Sequence, residues 1–205
     1  MKEKIRFAFH IMTHPFDGFW DMKREKKGNL WVALGILALV AITDVFSKQF
    51  TAFLFNPDKF APLDVFFEVS KILFLFILFS VANWSVTTLL QGEGTFRDIV
   101  MMTGYACLPL VIIPLPVAIL SNLATYSEQV YLNAALTIAY LWFFGLLLAG
   151  IMTVHQYTIG KMLGTVILTI AAMMALIFIC LLFFNLFSQL IGFVYSIYKE
   201  IALRT

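Results

Sequence analysis

Three arrangements in this sequence have residue types and spacings that could do chemistry: a histidine pair, charged pairs set within apolar runs, and two glycines flanking an acid. His10 and His14 stand four residues apart, a spacing at which one helix face can hold a metal ion. No acidic partner completes the set, and Pro15 disturbs the turn beside it, so both read as structural and no metal or other cofactor is expected. Gly92-Glu93-Gly94 has the outline of a phosphate loop but lacks the following Lys-Ser/Thr and the preceding strand. No HExxH, no Ser or Cys nucleophile with a base and no pair of intramembrane aspartates occurs. The chain is not expected to be an enzyme. Cys107 and Cys180 both lie inside apolar runs and read as packing residues.

Asp44 and Lys48 are four residues apart, so they share a helix face and can pair, lowering the cost of placing charge at a membrane boundary. Glu68 and Lys71 repeat the arrangement one helical turn apart. Asn83, Trp84, Ser85, Thr87 and Thr88 form the most polar stretch of any span, the kind of groups that bridge helices in lipid. Asp44, Lys48, Asn83 and His155 are therefore the candidate intramembrane polar sites.

The elements that must position these residues are membrane spans. The chain of 205 residues is 61% hydrophobic and 13% charged, against about 45–50% and about 25% in soluble domains. The first apolar run begins only at Leu30, after a charged stretch too long for a signal peptide, so it is expected to be retained. Hydropathy places spans at about 30–55, 65–90, 99–120, 134–154 and 162–184, with a helical tail over 185–205. The tail either extends the fifth helix or turns along the surface. The third span carries Pro109, Pro114 and Pro116. Such breaks survive in a bilayer when neighbouring helices cover the freed carbonyls, so this span should be central. The fold class expected is all-α, a polytopic membrane protein with five transmembrane helices behind an amino-terminal amphipathic helix.

That amphipathic segment is residues 1–29, with residues 30–205 forming the membrane domain. Ile5, Ala8, Phe9, Met12, Phe16, Phe19 and Trp20 recur at helical spacing, and Pro15 interrupts the helix or starts a second one. A basic, aromatic helix just before a span reads as lying in the interface against the lipid bilayer. With the amino terminus in the cytoplasm, nine basic residues face that side (seven before Asn29, plus Arg97 and Lys161) and five face the other (Lys48, Lys59, Lys71, Lys199 and Arg204). The positive-inside rule thus predicts a cytoplasmic amino terminus, with five spans placing the carboxy terminus opposite. Nothing points to nucleic acid.

Gly104-Tyr105-Ala106-Cys107-Leu108-Pro109 reads GYxxLP inside the third of five spans. In this motif, in the QGEGTF turn before it, in HPFDGFWDMK ahead of the first span and in its layout, the chain resembles the Yip (Ypt-interacting protein) domain family. The motif residues are Gly104, Tyr105, Leu108 and Pro109. The resemblance implies a non-enzymatic adaptor or accessory acting through helix contacts with a membrane-protein partner or in a homo-oligomer. Eukaryotic relatives bind Rab-type GTPases, partly through a longer amino terminus and an Asp-Leu-Tyr-Gly-Pro motif. Here Pro62-Leu63-Asp64-Val65 stands in its place, which counts against a GTPase partner. The short tail is similar to bacterial members and implies a plasma-membrane protein. Two alternatives stay open: a subunit of an ABC-type transporter complex, and a stand-alone carrier of small solutes or lipids. A carrier requires a water-accessible cavity at Asp44, Asn83 or His155, whereas an adaptor requires those groups paired and dry.

Overall fold

The computed structural model describes residues 2–56 and 63–204, all helices and connecting turns. Lys59 and Pro62 lie outside the described residues. In chain order the helices are α1 (Lys2–Thr13), α2 (Pro15–Arg24), α3 (Leu30–Phe50), α4 (Val65–Leu89), α5 (Phe96–Ala106), α6 (Pro109–Ile112), α7 (Pro114–Leu120), α8 (Gln129–His155) and α9 (Ile159–Arg204). Helices α5 to α7 together make one span, so five segments are long and apolar enough to cross a membrane. No strand occurs among the described residues.

Local signals set the boundaries. Asn29 and Asp64 cap α3 and α4 by accepting from the backbone N–H of Val32 and Phe67 at 3.2 and 3.0 Å. α5 starts at Phe96, three residues before its apolar run, because Thr95 and Asp98 form a reciprocal capping box. Arg97 and Asp98, which hydropathy alone assigns to the turn, are therefore its first helical turn. Pro109 and Pro114 begin α6 and α7. At the first break the Tyr105 carbonyl, deprived of a donor by Pro109, accepts from the Leu108 N–H at 3.2 Å.

The broken span is the centre of the bundle: half of its apolar window is buried, against 28%, 22% and 28% for the spans of α3, α4 and α8, and 6% for α9. Helix α5 packs on α3, α4 and α8, and α9 leans mainly on α4. The tail continues the last span without a break, because Asn185 and Gln189 hydrogen-bond to each other one turn apart (3.1 Å) and disturb no backbone bond.

Helices α1 and α2 fold back on each other at His14, with Pro15 in the first-turn position that needs no N–H. Ile11 and Gly18, at similar distances in sequence from this corner, touch; a Cβ on Gly18 would lie 2.7 Å from the Ile11 Cα. Two faces of this hairpin are apolar. Ala8, Ile11, Phe19 and Met22 are buried in the bundle core, while Ile5, Phe9, Phe16 and Trp20 stay exposed. The structure adds to the amphipathic reading that one face meets protein. The Trp142 indole donates to the Met12 carbonyl at 3.2 Å and the Lys23 ammonium to that of Val154 at 2.7 Å. Those two α8 positions are about 18 Å apart along the helix, so the hairpin lies lengthwise on α8 with its corner about half-way down it.

Phe19 is fully buried, so Phe19→Ala should cost about 3–5 kcal/mol, whereas Phe9→Ala on the exposed face should cost under about 1 kcal/mol. Thermal unfolding in detergent reads the difference. Faster proteolysis within residues 2–29 should accompany only the first substitution.

Candidate functional site: the end of the bundle around Tyr105 and His155

Three turns meet at the end of the bundle that holds the α2–α3, α4–α5 and α8–α9 connections. The first is anchored from α5. A Cβ on Gly104 would lie 2.8 Å from the Ala33 Cβ and 2.9 Å from its carbonyl oxygen, so only glycine lets α5 touch the α3 backbone here. The next residue, Tyr105, is 1% exposed. Its side chain runs back toward the start of α5. Its hydroxyl accepts from the Asn29 N–H at 3.1 Å and donates to the Asn29 carbonyl at 3.3 Å. Phe7 of α1 packs edge-on against the same ring, centroids 6.1 Å apart. One phenol thus fixes the residue that joins the hairpin to α3. Leu108 and Pro109, both buried, form the corner where α5 turns into α6.

The second and third turns pack face to face. His155 is 2% exposed and its ring stacks on Tyr157, centroids 5.4 Å apart. Its Nδ1 accepts from the Gly94 N–H at 3.3 Å, which fixes the donor on the other ring nitrogen. Nε2 has no hydrogen-bond partner among the described residues. The Tyr157 hydroxyl faces the Thr87 and Leu90 carbonyls, both at 3.4 Å, and the Lys161 ammonium lies 4.4 Å from its ring centroid. A Cβ on Gly92 would meet His155 Nδ1 at 2.5 Å and the Tyr157 hydroxyl at 2.6 Å; one on Gly94 would meet His155 Cε1 at 2.6 Å. Neither glycine has positive φ: the left-handed residues that close the two turns are Gln91 and Gln156, at 56° and 55°. The glycines are there for space.

Charge clips the hairpin to this end. Glu93, between the glycines, pairs with Lys23 at 3.3 Å and Arg24 at 2.8 Å. Lys27 pairs with Asp21 and Glu25, and hydrogen bonding to Asp21 first, then to Glu25, pushes its ammonium up to about 12. Burial raises the Tyr157 phenol above its ordinary value.

The other candidates lie elsewhere. Asp44 and Lys48 are at the opposite end of the bundle, 3.3 Å apart, where Lys48 also pairs with Glu68 of α4 at 2.5 Å and Glu68 pairs with Lys71. Asn83 is fully buried between α4 and α9, donating to the Thr169 hydroxyl at 3.3 Å beside buried Ser80, Thr87 and Thr165. His10 and His14 stack on each other, centroids 5.2 Å apart. Among the described residues no three His, Cys, Asp or Glu side chains gather to hold a metal ion. The candidates are thus dispersed, and the residues that knit the hairpin end together include Glu93, Lys23 and Tyr157, which sequence reasoning did not single out as a site. Two glycines in a turn with no left-handed glycine are a signal of close packing that only the backbone angles reveal.

This arrangement holds elements together and offers no reacting pair. The family model of the Yip1 domain matches residues 9–182. The chain belongs to the Yip1 family. No curated protein and no solved structure matches it. Yip1-family proteins are membrane proteins not known as enzymes. The match begins inside α1 and ends inside α9, so it takes in most of the hairpin and leaves residues 183–204 of α9 beyond it.

Tyr105→Phe removes both bonds to Asn29 and should cost about 1–2 kcal/mol of stability. Gly104→Val, which drives a side chain into the Ala33 backbone, should cost about 1–3 kcal/mol. Chemical denaturation in mixed micelles measures both; a valine variant as stable as the parent would mean that α3 and α5 do not touch. A raised phenol pKa stabilises the fold below about pH 10. That contribution is lost as pH rises through the folded value, so the melting temperature should fall above pH 10 more steeply in the parent than in Tyr157→Phe.

Proposed function

We propose that this Yip1-family chain is a non-enzymatic membrane adaptor that engages another integral membrane protein through helix contacts, with the outer part of α9 as its docking face. The observation that supports this is the mismatch between α9 and the rest of the bundle. Its 46 residues extend about 69 Å, whereas a hydrocarbon core is about 30 Å thick. Every described side chain from 177 to 200 is exposed. The stretch is apolar on most sides but carries Asn185, Ser188, Gln189, Gly192 and Ser196 on one stripe, and nothing lies within 4 Å of a Cβ placed on Gly192. Small residues let a second helix approach closely, and the amide groups that Asn185 and Gln189 do not use on each other seek partners across helices. For the carrier alternatives, Asp44, Asn83 and His155 each keep a buried oxygen or nitrogen without a hydrogen bond among the described residues, but the recess described below reaches none of them.

On this reading the hairpin end faces the cytoplasm of a plasma membrane and the carboxy terminus the other side. Lys23, Arg24, Lys27, Arg97 and Lys161 all belong to the hairpin end, against Lys48 and Lys71 at the far one. No GTPase is proposed as the partner.

The test is purification of the tagged full-length chain from its native membrane in mild detergent, beside Gly192→Leu and Gln189→Leu. One other integral membrane protein should copurify in near-equal amount with the parent and drop at least about fivefold with either variant. Recovery of the chain alone, or only with itself, would overturn the reading.

A further inference from the structure

Between α2 and the end of α8 lies an open recess of about 380 Å³. Asp17, Phe16 and Trp20 line it from the hairpin, and Thr153, Gln156 and Tyr157 line it from the α8–α9 corner. Two of its polar side chains turn a donor inward and leave an acceptor on the recess. The Thr153 hydroxyl donates to the Ala149 carbonyl at 2.8 Å, and the Gln156 amide nitrogen donates to the Thr153 carbonyl at 2.7 Å. Gln156 is held in a left-handed conformation with φ of 55°. Asp17 has no ion pair among the described residues, although basic side chains crowd the same end: Lys23 and Arg24 are taken by Glu93, and Lys27 by Asp21 and Glu25. The recess therefore holds a free carboxylate, two further acceptors and aromatic walls, a combination that suits a cation carrying N–H donors.

Its rim has the opposite sign. Arg24 sits over the Trp20 ring, 5.3 Å from the centroid, and Lys161 over the Tyr157 ring at 4.4 Å. A group that is positive inside and negative at the rim fits both. Trp and Tyr favour the headgroup level of a bilayer, and the exposed Phe16 adds an apolar surface to the recess. We propose that this recess binds the headgroup of a zwitterionic phospholipid with a primary ammonium, the ethanolamine class: the ammonium on Asp17 and Gln156, the phosphate toward Lys161. A choline headgroup carries no N–H and leaves those acceptors unmet. The site is separate from the α9 docking face and stands without it.

The experiment is native mass spectrometry of the full-length chain, stripped of lipid in detergent and titrated with phospholipids of identical acyl chains bearing ethanolamine, choline or glycerol headgroups. Glycerophosphoethanolamine serves as the soluble source of the same chemistry. The ethanolamine lipid should bind about tenfold more tightly than the other two. Asp17→Asn should reduce that preference to about twofold or less, and Phe16→Ala should weaken binding of the ethanolamine lipid. Asp17 and Phe16 are exposed, so both variants should keep the parent's circular dichroism and elution volume. Equal binding of all three lipids, or a preference that survives Asp17→Asn, would overturn the proposal. Glycerophosphoethanolamine binding as tightly as the lipid would overturn the membrane lipid as the ligand.

Discussion

Helix α5 touches the backbone of α3 at Gly104 and Ala33, and much of the packing at this end depends on that approach. Without it Tyr105 could not reach Asn29, because its hydroxyl binds backbone atoms at 3.1 and 3.3 Å. Asn29 in turn caps α3 and ends the connection from α2. The phenol therefore couples three things that a membrane would otherwise leave loose: where α3 starts, how α5 is rotated, and where α1 lies, since Phe7 rests on the same ring. A side chain on residue 104 would push the two helices apart and break all three together.

The same economy recurs wherever a helix ends. A carbonyl or N–H left without a partner away from water costs about 1–3 kcal/mol, and in lipid the chain must supply each partner itself. Here other elements supply them. Lys23 of α2 covers the Val154 carbonyl at the end of α8, and Tyr157 faces the Thr87 and Leu90 carbonyls at the end of α4. At the opposite end, the Asn122 amide donates to the Phe50 carbonyl, and the Ser121 hydroxyl accepts from the Ala52 N–H. Helix ends and tertiary contacts are thus the same bonds, which makes the exit of one span the anchor of the next.

This explains which parts of the fold could be read from the sequence. Five spans follow from apolar runs alone, and the central position of the third follows from three prolines that only surrounding helices can tolerate. Asp44 with Lys48 and Glu68 with Lys71 are legible because helix periodicity brings such pairs together. What joins them across two helices, Lys48 with Glu68, is tertiary and leaves no mark in spacing. The same holds for the hairpin: its amphipathic pattern is visible, but Ile11 and Met22, both buried, fall outside the stripe read from periodicity, because a hairpin has two apolar faces where one helix on a membrane has one. Gly92 and Gly94 look like turn formers, yet the turn is closed by Gln91, and their lack of a side chain answers to His155 and Tyr157 some sixty residues away in the chain.

Packing is graded across the bundle, and the gradient says where function has room. The broken third span is half buried and its neighbours about a quarter, while the window of α9 is 6% buried. The interior is occupied by close helix contacts, paired charges and capped ends, an arrangement that resists opening. The groups left over include the acceptors of the α2–α8 recess at one end and the uncovered stripe of α9, and, inside the bundle, Asn83 Oδ1 and His155 Nε2, which have no hydrogen-bond partner among the described residues. A transporter concentrates unmatched polar groups near the bilayer midplane, where a substrate must pass. In this chain the buried hydroxyls of Thr103, Thr165 and Thr169 are bonded to their own helix one turn back, and Asn83 Nδ2 donates to Thr169 while its Oδ1 has no partner among the described residues. The bundle is thus tightest around its broken central span and least covered along α9.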